Sequence, residues 1–513
     1  MRLLNKFAVL AAALAGCTSS PDFVRPDKPK EQGYTPENLA PQTAASAVAD
    51  GGAAQTFVPA ADIPGQWWTL FRSAELNALI DEALKANPDL DAAQASLRQA
   101  NEALYAQQGA LFPAFNANAS GQNALANGVQ FGQPGTSFYY GVTTASLNIS
   151  YAPDIFGGTR RSVQAQAAQA EYQRYQLEAT YLTLTSNVVV AAINLASLRG
   201  QIAATETILK IETDALSVVE SQFTLGGASR ADVLAQQAAL TATQATLPPL
   251  QKQLAQQRNQ LMTLLGKPPT HDAGQSLLLS SIKLPEELPL SLPSQLVEQR
   301  PDVRSAEAQL HTASANIGVA IANQLPQLTL SGMWGMASAG FSTAFMPGTG
   351  IWTLGASIAQ TLFDGGKLEH TKLAAVAAYD KAAAQYRSTV LLAFQDVANA
   401  LRALQADADT LTATVAAEQV AAASLALVQQ QYQAGSVNYL TLFNAQQTYQ
   451  SALINRVKAQ GQRYSDTAAL FQALGGGWWN RTDVDAASKG APGVFNLPPA
   501  QDIKLPRGGQ QGT

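Results

Sequence analysis

The run VLLAFQDVANALRALQADADTLTATV, residues 390–415, sets apolar side chains at Val390, Phe394, Val397, Leu401, Leu404, Ala408, Leu411 and Val415. The steps alternate between four and three, the heptad that turns one stripe of a helix toward a neighbouring helix. The run lies inside residues 367–434, 68 residues with neither Gly nor Pro. At 1.5 Å per residue such a helix extends on the order of 100 Å, far beyond the core of a compact domain. A second heptad runs through Leu177, Tyr181, Leu184, Val188, Ala191, Leu195, Leu198 and Ile202. The intervening residues are mostly Ala, Ser, Thr and Gln, which suit close helix neighbours and a wet outer face. The chain is predicted to build side-by-side coiled coils.

Outward from these helices, the sequence repeats itself. Asn87-Pro88-Asp89-Leu90 and Phe112-Pro113 return as Arg300-Pro301-Asp302-Val303 and Leu325-Pro326, about 213 residues later. Gly157-Gly158 returns as Gly365-Gly366 at an offset of about 208, and Gly226 as Gly435 at about 209. Several pairs in order at nearly constant spacing identify two copies of one unit. Each unit reads helix, two strands, very long helix, tight break, helix. The glycine pairs Gly157-Gly158 and Gly365-Gly366 read as strand-to-helix turns rather than phosphate loops.

The breaks themselves are QFTLGGASRADVLAQQ, residues 222–237, and QYQAGSVNYLTLFNAQ, residues 431–446. Gly226 and Gly435 suit the left-handed position that ends a helix. Ser229 and Asn438 suit the N-cap of the returning helix, and Ser229 with Asp232 forms a capping-box pair. Each break is therefore an αα-hairpin tip.

Residues 327–336 and 351–360 alternate apolar with small or polar side chains, Leu328, Leu330, Trp334 and Met336 against Gln327, Thr329 and Ser331 in the first. The other copy alternates more weakly through residues 115–120 and 146–151. Ten-residue segments of this kind mark a transmembrane β-barrel. A half-buried soluble sheet gives the same alternation. The leader described next, and the lack of any other core, favour the barrel. Four strands cannot close in lipid, so several chains must contribute. Two chains give eight strands and a filled interior; three give twelve and a water-wide one.

Charged residues are 13% of the chain and the formal charge is −5, which leaves no basic footprint for nucleic acid. MRLLNKFAVLAAALAGC has a basic start and an apolar stretch too short to span a bilayer. Its end, Leu14-Ala15-Gly16-Cys17, resembles the lipobox of bacterial lipoproteins, in which Cys17 would be lipidated. The alternative is an ordinary signal peptide with an incidental cysteine. Thr18 rather than Asp after the cysteine is compatible with outer-membrane sorting. His271, His311 and His370 are far apart in sequence, and no Walker, zinc or nucleophile-elbow motif occurs. The sequence predicts no enzyme, no catalytic residue, no metal and no cofactor.

Ser20-Pro21-Asp22-Phe23-Val24-Arg25-Pro26, Trp68-Thr69-Leu70-Phe71, Arg300-Pro301-Asp302-Val303-Arg304, Asn316-Ile317-Gly318-Val319-Ala320, Leu362-Phe363-Asp364-Gly365-Gly366 and Leu474-Gly475-Gly476-Gly477-Trp478 together resemble the TolC-like outer-membrane efflux proteins. The nearest branch is the lipid-anchored, NodT-type components of tripartite multidrug pumps. The resemblance implies an α+β membrane protein: a homotrimer with a 12-stranded barrel in outer-membrane lipid and a helical periplasmic tunnel. It implies a periplasmic adaptor and an inner-membrane proton-driven transporter of the resistance–nodulation–division (RND) class as partners. The duct of a type I protein-secretion system shares this architecture and is the competing function. The expected division is leader 1–16, anchored tether 17–63, first repeat 64–270, linker 271–290, second repeat 291–480 and tail 481–513.

The resemblance also assigns the tips. Gly226, Gly227, Ser229, Gly435, Ser436 and Asn438 are expected to meet the adaptor, and Asp232, Thr441 and Asn444 to line the periplasmic gate. Family members often carry Leu-Leu-Asp-Ala where this chain has Leu442-Phe443-Asn444-Ala445. An amide replaces the expected carboxylate, which predicts weaker attraction for cations in a narrow pore.

Overall fold

A computed structural model describes residues 22–31, 33–37, 39–46, 50–132, 134–271 and 277–481. The leader, Cys17 and the tail beyond Arg481 lie outside the described residues. The first unit comprises helices α1 (Ala74–Ala86) and α2 (Pro88–Gly109), strands β2 (Ala114–Asn127) and β3 (Ser137–Tyr151), and helices α3 (Gly158–Thr224) and α4 (Arg230–Leu264). The second comprises α5 (Pro293–Gln299), α6 (Pro301–Ala322), β5 (Gln327–Ser338), β6 (Gly350–Ala359), α7 (Lys367–Gln433) and α8 (Tyr439–Ala473). Two short strands, β1 (Thr56–Pro59) and β4 (Glu287–Leu290), precede the two units.

The duplication holds for the three longer helices of each unit. α2 and α6 have 22 residues each, α3 and α7 have 67, and α4 and α8 have 35. From the start of each long helix to the end of its return helix the offset is a constant 209 residues. This refines the pairing at the strand-to-helix turns. Gly157 and Gly366 are the two left-handed N-caps, with φ of 81° and 89°, so Gly365 is an extra residue in the second turn. Neither glycine has a side chain to cap with, and an aspartate supplies the acceptor instead. Asp154 accepts the backbone N–H groups of Thr159 and Arg160, and Asp364 those of Gly366 and Leu368. Gly158 also packs closely, since a Cβ there would lie 3.0 Å from Cβ of Ala322.

The strands form one antiparallel sheet in the order β2-β3-β5-β6, longer in the first copy than its weak alternation suggested. Register decides which face is which. Ala117, Leu147, Trp334 and Trp352 line up across all four strands, and so do Phe115, Ile149, Gly332 and Leu354. The alternate rows hold Asn116, Asn148, Met333 and Thr353, and Ser150, Ser331 and Gly355. One face is thus apolar and aromatic, the other small and mostly polar, as a barrel between lipid and water requires. β2 and β6 each pair on one side only, which leaves both edges open in a single chain.

The family-like motifs, far apart in sequence, meet in one core where the short helices pack on the long ones. Trp67, Trp68 and Phe71 are buried with Phe471, Val188 and Leu195, and Trp67 stacks on Phe471 at 5.2 Å. Arg300 explains its own motif. It pairs with Asp302, reaches Asp396 on α7, and donates to the carbonyl of Ala473 at the end of α8. One guanidinium therefore fastens three helices. Gly477 has φ of 70°, and a Cβ there would sit 2.5 Å from the Ile63 carbonyl oxygen.

The segments read as tether and linker do more than connect. β1 pairs in parallel with β4, joining the two across the repeat boundary. Arg463 of α8 is buried and donates to the carbonyls of Gly51 and Ala53 and to Thr43 Oγ1. Nearer the start, Asp22 meets Arg161 at the first turn of α3, and Phe23 stacks on His311 at 4.5 Å. The described residues of this segment are bound along the helices rather than free.

Candidate functional site

The two hairpin ends repeat one another. Gly226 donates its N–H to the Phe223 carbonyl at 3.0 Å and Gly227 to that of Gln222 at 2.8 Å. Gly435 donates to Tyr432 at 3.0 Å and Ser436 to Gln431 at 2.9 Å. Both are the 5→2 and 6→1 bonds that close a helix on a left-handed residue. Gly226 and Gly435 have φ of 81° and 72°, and no atom lies within 4 Å of a Cβ built on either. Their requirement for glycine within the chain is conformational; the space around them is open.

The return helices start on side-chain caps. Ser229 Oγ accepts from the Asp232 N–H, and Asp232 answers by accepting the Ser229 N–H at 2.8 Å and its hydroxyl at 2.7 Å. In the second hairpin Asn438 Oδ1 accepts both the N–H and the hydroxyl of Thr441. Asp232 and Thr441 therefore occupy equivalent third positions of their helices, as the 209-residue offset demands. The Asp232 carboxylate is committed to its cap at a helix N-terminus, where the helix dipole balances its charge. Asn444 is exposed one turn further along α8.

Behind the tips the hairpins are held together by contacts that the sequence did not announce. An apolar cluster joins Val219 and Val233 of the first hairpin to Leu425, Tyr432, Tyr439 and Leu442 of the second. Through it runs a polar chain. The Tyr439 hydroxyl donates to Gln236 Oε1 at 2.8 Å, and Gln236 Nε2 donates to the Glu212 carbonyl at 3.0 Å. Thr243 Oγ1 donates to Glu212 Oε1 at 3.0 Å, and Gln450 Nε2 donates to Thr243 Oγ1 at 3.2 Å. Glu212, Gln236, Thr243 and Tyr439 are all buried. Burial pushes the Tyr439 phenol and the Glu212 carboxyl above their ordinary ranges. The chain of bonds ties α8 to both arms of the other hairpin, so parting the hairpins must break it. Its only sequence signal was polar residues at buried helical positions, and the partners are up to 207 residues apart.

A barrel sheet with open edges, continued by long coiled-coil hairpins whose ends are latched side chain to side chain, defines one protomer of a membrane-anchored channel. The outer membrane efflux protein family model matches the chain twice, over residues 79–267 and 292–476, so the chain belongs to that family. The pyoverdine export outer membrane protein OpmQ of Pseudomonas putida is 30% identical over 445 residues, covering 85% of this chain and 94% of that protein. The toluene efflux pump outer membrane protein TtgC of Pseudomonas putida is 29% identical over 485 residues, 93% of this chain and 96% of its own. The solved structure of the outer-membrane channel OprN superposes with a TM-score of 0.80 at 28% identity, over 90% of this chain and 100% of that one. The protein is a TolC-like outer-membrane efflux channel, its barrel in the outer membrane and its helices forming a periplasmic tunnel.

Proposed function

We propose that three copies of this chain form a twelve-stranded duct that receives small molecules from a periplasmic adaptor and an RND-type transporter and releases them outside. One observation carries the assembly. α6 packs between α3 and α7, whereas its twin α2 packs on α3 alone. The α3–α6 contact thus has an unfilled counterpart, α2 with α7, which a neighbouring chain supplies: its α7 covers the bare side of α2. The β2 and β6 edges then pair between copies by the same operation, which closes the sheet.

The tips Gly226, Gly227, Ser229, Gly435, Ser436 and Asn438 serve as the adaptor contact. Their open surroundings and near-identical paired geometry support this, since three protomers would present six equivalent ends. Asn444, with Thr441, lines the aperture with uncharged groups. Cargo choice belongs upstream, consistent with relatives named for pyoverdine and for toluene. Cys17 attaches the chain to lipid; Asp22, five residues on, meets α3 beside the barrel, a short reach from the membrane.

Deleting the gene should lower the minimal inhibitory concentrations of drugs exported by a co-encoded pump, with restoration by the intact gene. Unchanged susceptibility together with loss of an exported polypeptide would transfer the reading to protein secretion. Crosslinking of a cysteine at Ser436 to a co-expressed adaptor tests the contact, and no crosslink at either tip would remove it.

A further inference from the structure

Glu212 is 1% exposed, yet among the described residues no cation faces it. α4 turns Gln236, Ala239 and Thr243 toward this layer, and α8 turns Tyr439, Gln446 and Gln450. Tyr439 is the sole titratable group among them, and Asp232 lies nearer the tip, held in its cap. On its own helix, Lys210 and Asp214 sit on the exposed face. A buried carboxylate without a cation is costly when ionised.

The hydrogen bonds make the same point. Oε1 of Glu212 accepts from Thr243, but buried Oε2 has no partner in the protomer. Gln446 is buried as well, and neither its Oε1 nor its Nε2 has a partner. Gln446 lies on the α8 stripe between Tyr439, which bonds Gln236, and Gln450, which bonds Thr243. Both Gln236 and Thr243 bond Glu212. The orphaned acid oxygen and the orphaned amide therefore share one layer of the latch. Unpaired buried polar atoms of this kind point to a missing proton, water or ion. The equivalent of Glu212 in the second unit is Ala421, so the duplication did not place the carboxylate there.

We propose that Glu212 is a proton-binding site that controls the latch: the closed hairpins hold it as the neutral acid, with Oε2–H donating to the Gln446 amide oxygen. When the hairpins part, water reaches the group and takes the proton, and the carboxylate is left hydrated. The proposal rests on the latch reading of the Tyr439–Gln236 contact. Burial raises the closed-state carboxyl above its ordinary range. The closed form is then fully favoured below the open-state value and loses that advantage as pH rises through the closed-state value. Alkalinisation opens; acid closes.

The test is single-channel recording of the full-length trimer in planar bilayers, from about pH 4.5 to about pH 7.5. Wild-type open probability should rise about tenfold or more across that span. Glu212→Gln, which keeps the shape and an amide donor, should stay at the low-pH level throughout. Tyr439→Phe should raise open probability at every pH while keeping the slope. A flat wild-type profile, or a slope that survives in Glu212→Gln, overturns the proton site. An unaffected Tyr439→Phe channel instead overturns the latch reading. Should Glu212→Gln fail to assemble, Gln446→Leu decides: its slope must shrink, and an undiminished slope overturns the proposal.

Discussion

α3 and α7 are the same helix twice, and they meet different fates inside one chain. Both have 67 residues. In the most apolar stretch of α3, 67% of residues are buried; in that of α7, 22% are. Leu182 and Leu391 are equivalent by the 209-residue offset, and they are 8% and 68% exposed. Propensity and heptad pattern cannot account for that difference, since the two helices share both. Their neighbours within the chain do: of the two 22-residue helices, α3 packs against both α2 and α6, and α7 against α6 alone. Exposed Leu391, Leu392, Val376 and Leu373 are the surface that a second copy covers in the proposed trimer.

The comparison breaks most easily at those equivalent leucines. Leu391→Asp should abolish trimers while leaving each protomer helical, because an unpaired charge would enter a buried interface. Size-exclusion chromatography with light scattering, alongside circular dichroism, reads both effects. Leu182→Asp should instead prevent folding of the protomer. Equal outcomes for the two would show that the helices differ less than their burial indicates.

A smaller effect is expected where the duplication diverges on the latch. Gln236 and Thr243 have alanines, Ala445 and Ala452, at the matching places of the second unit. Gln236→Ala should raise conductance severalfold, by removing the acceptor of the Tyr439 hydroxyl, whereas Ala445→Gln should leave it near wild type. At the tips, where the two units agree, Gly226→Ala and Gly435→Ala should each cost about 1 kcal/mol through left-handed backbone strain. Equal shifts in denaturation midpoint would confirm that the tips are equivalent. The mildest change is Asn444→Asp. It should increase cation over anion permeability in bilayers without altering stability, and an unchanged reversal potential would remove Asn444 from the aperture.

Local chemistry was legible because it is local. Gly226, Ser229 and Asp232 state their hairpin within seven residues, and the caps formed as the spacing indicated. The strand faces were readable for the same reason, although Ser137–Tyr151 is more than twice the length its alternation revealed. The β1–β4 pairing was not legible. Thr56–Pro59 is too short to signal a strand, and its partner lies in a segment that reads as linker. The contacts behind the tips were not legible: Glu212, Gln236 and Thr243 looked like ordinary polar residues of a wet helix.

By itself the sequence determined two copies of one unit, long coiled-coil helices, the turn at each tip and strands with one apolar face. Periodicity and neighbour chemistry act over a few residues, so the linear order carries them. Only the tertiary structure decided that Arg463 binds Thr43, 420 residues away, and that Tyr439 reaches Gln236 across 203. It also decided that one of two twin helices is left more exposed than the other. Such contacts depend on which surfaces the fold brings together, and no local pattern records the partner.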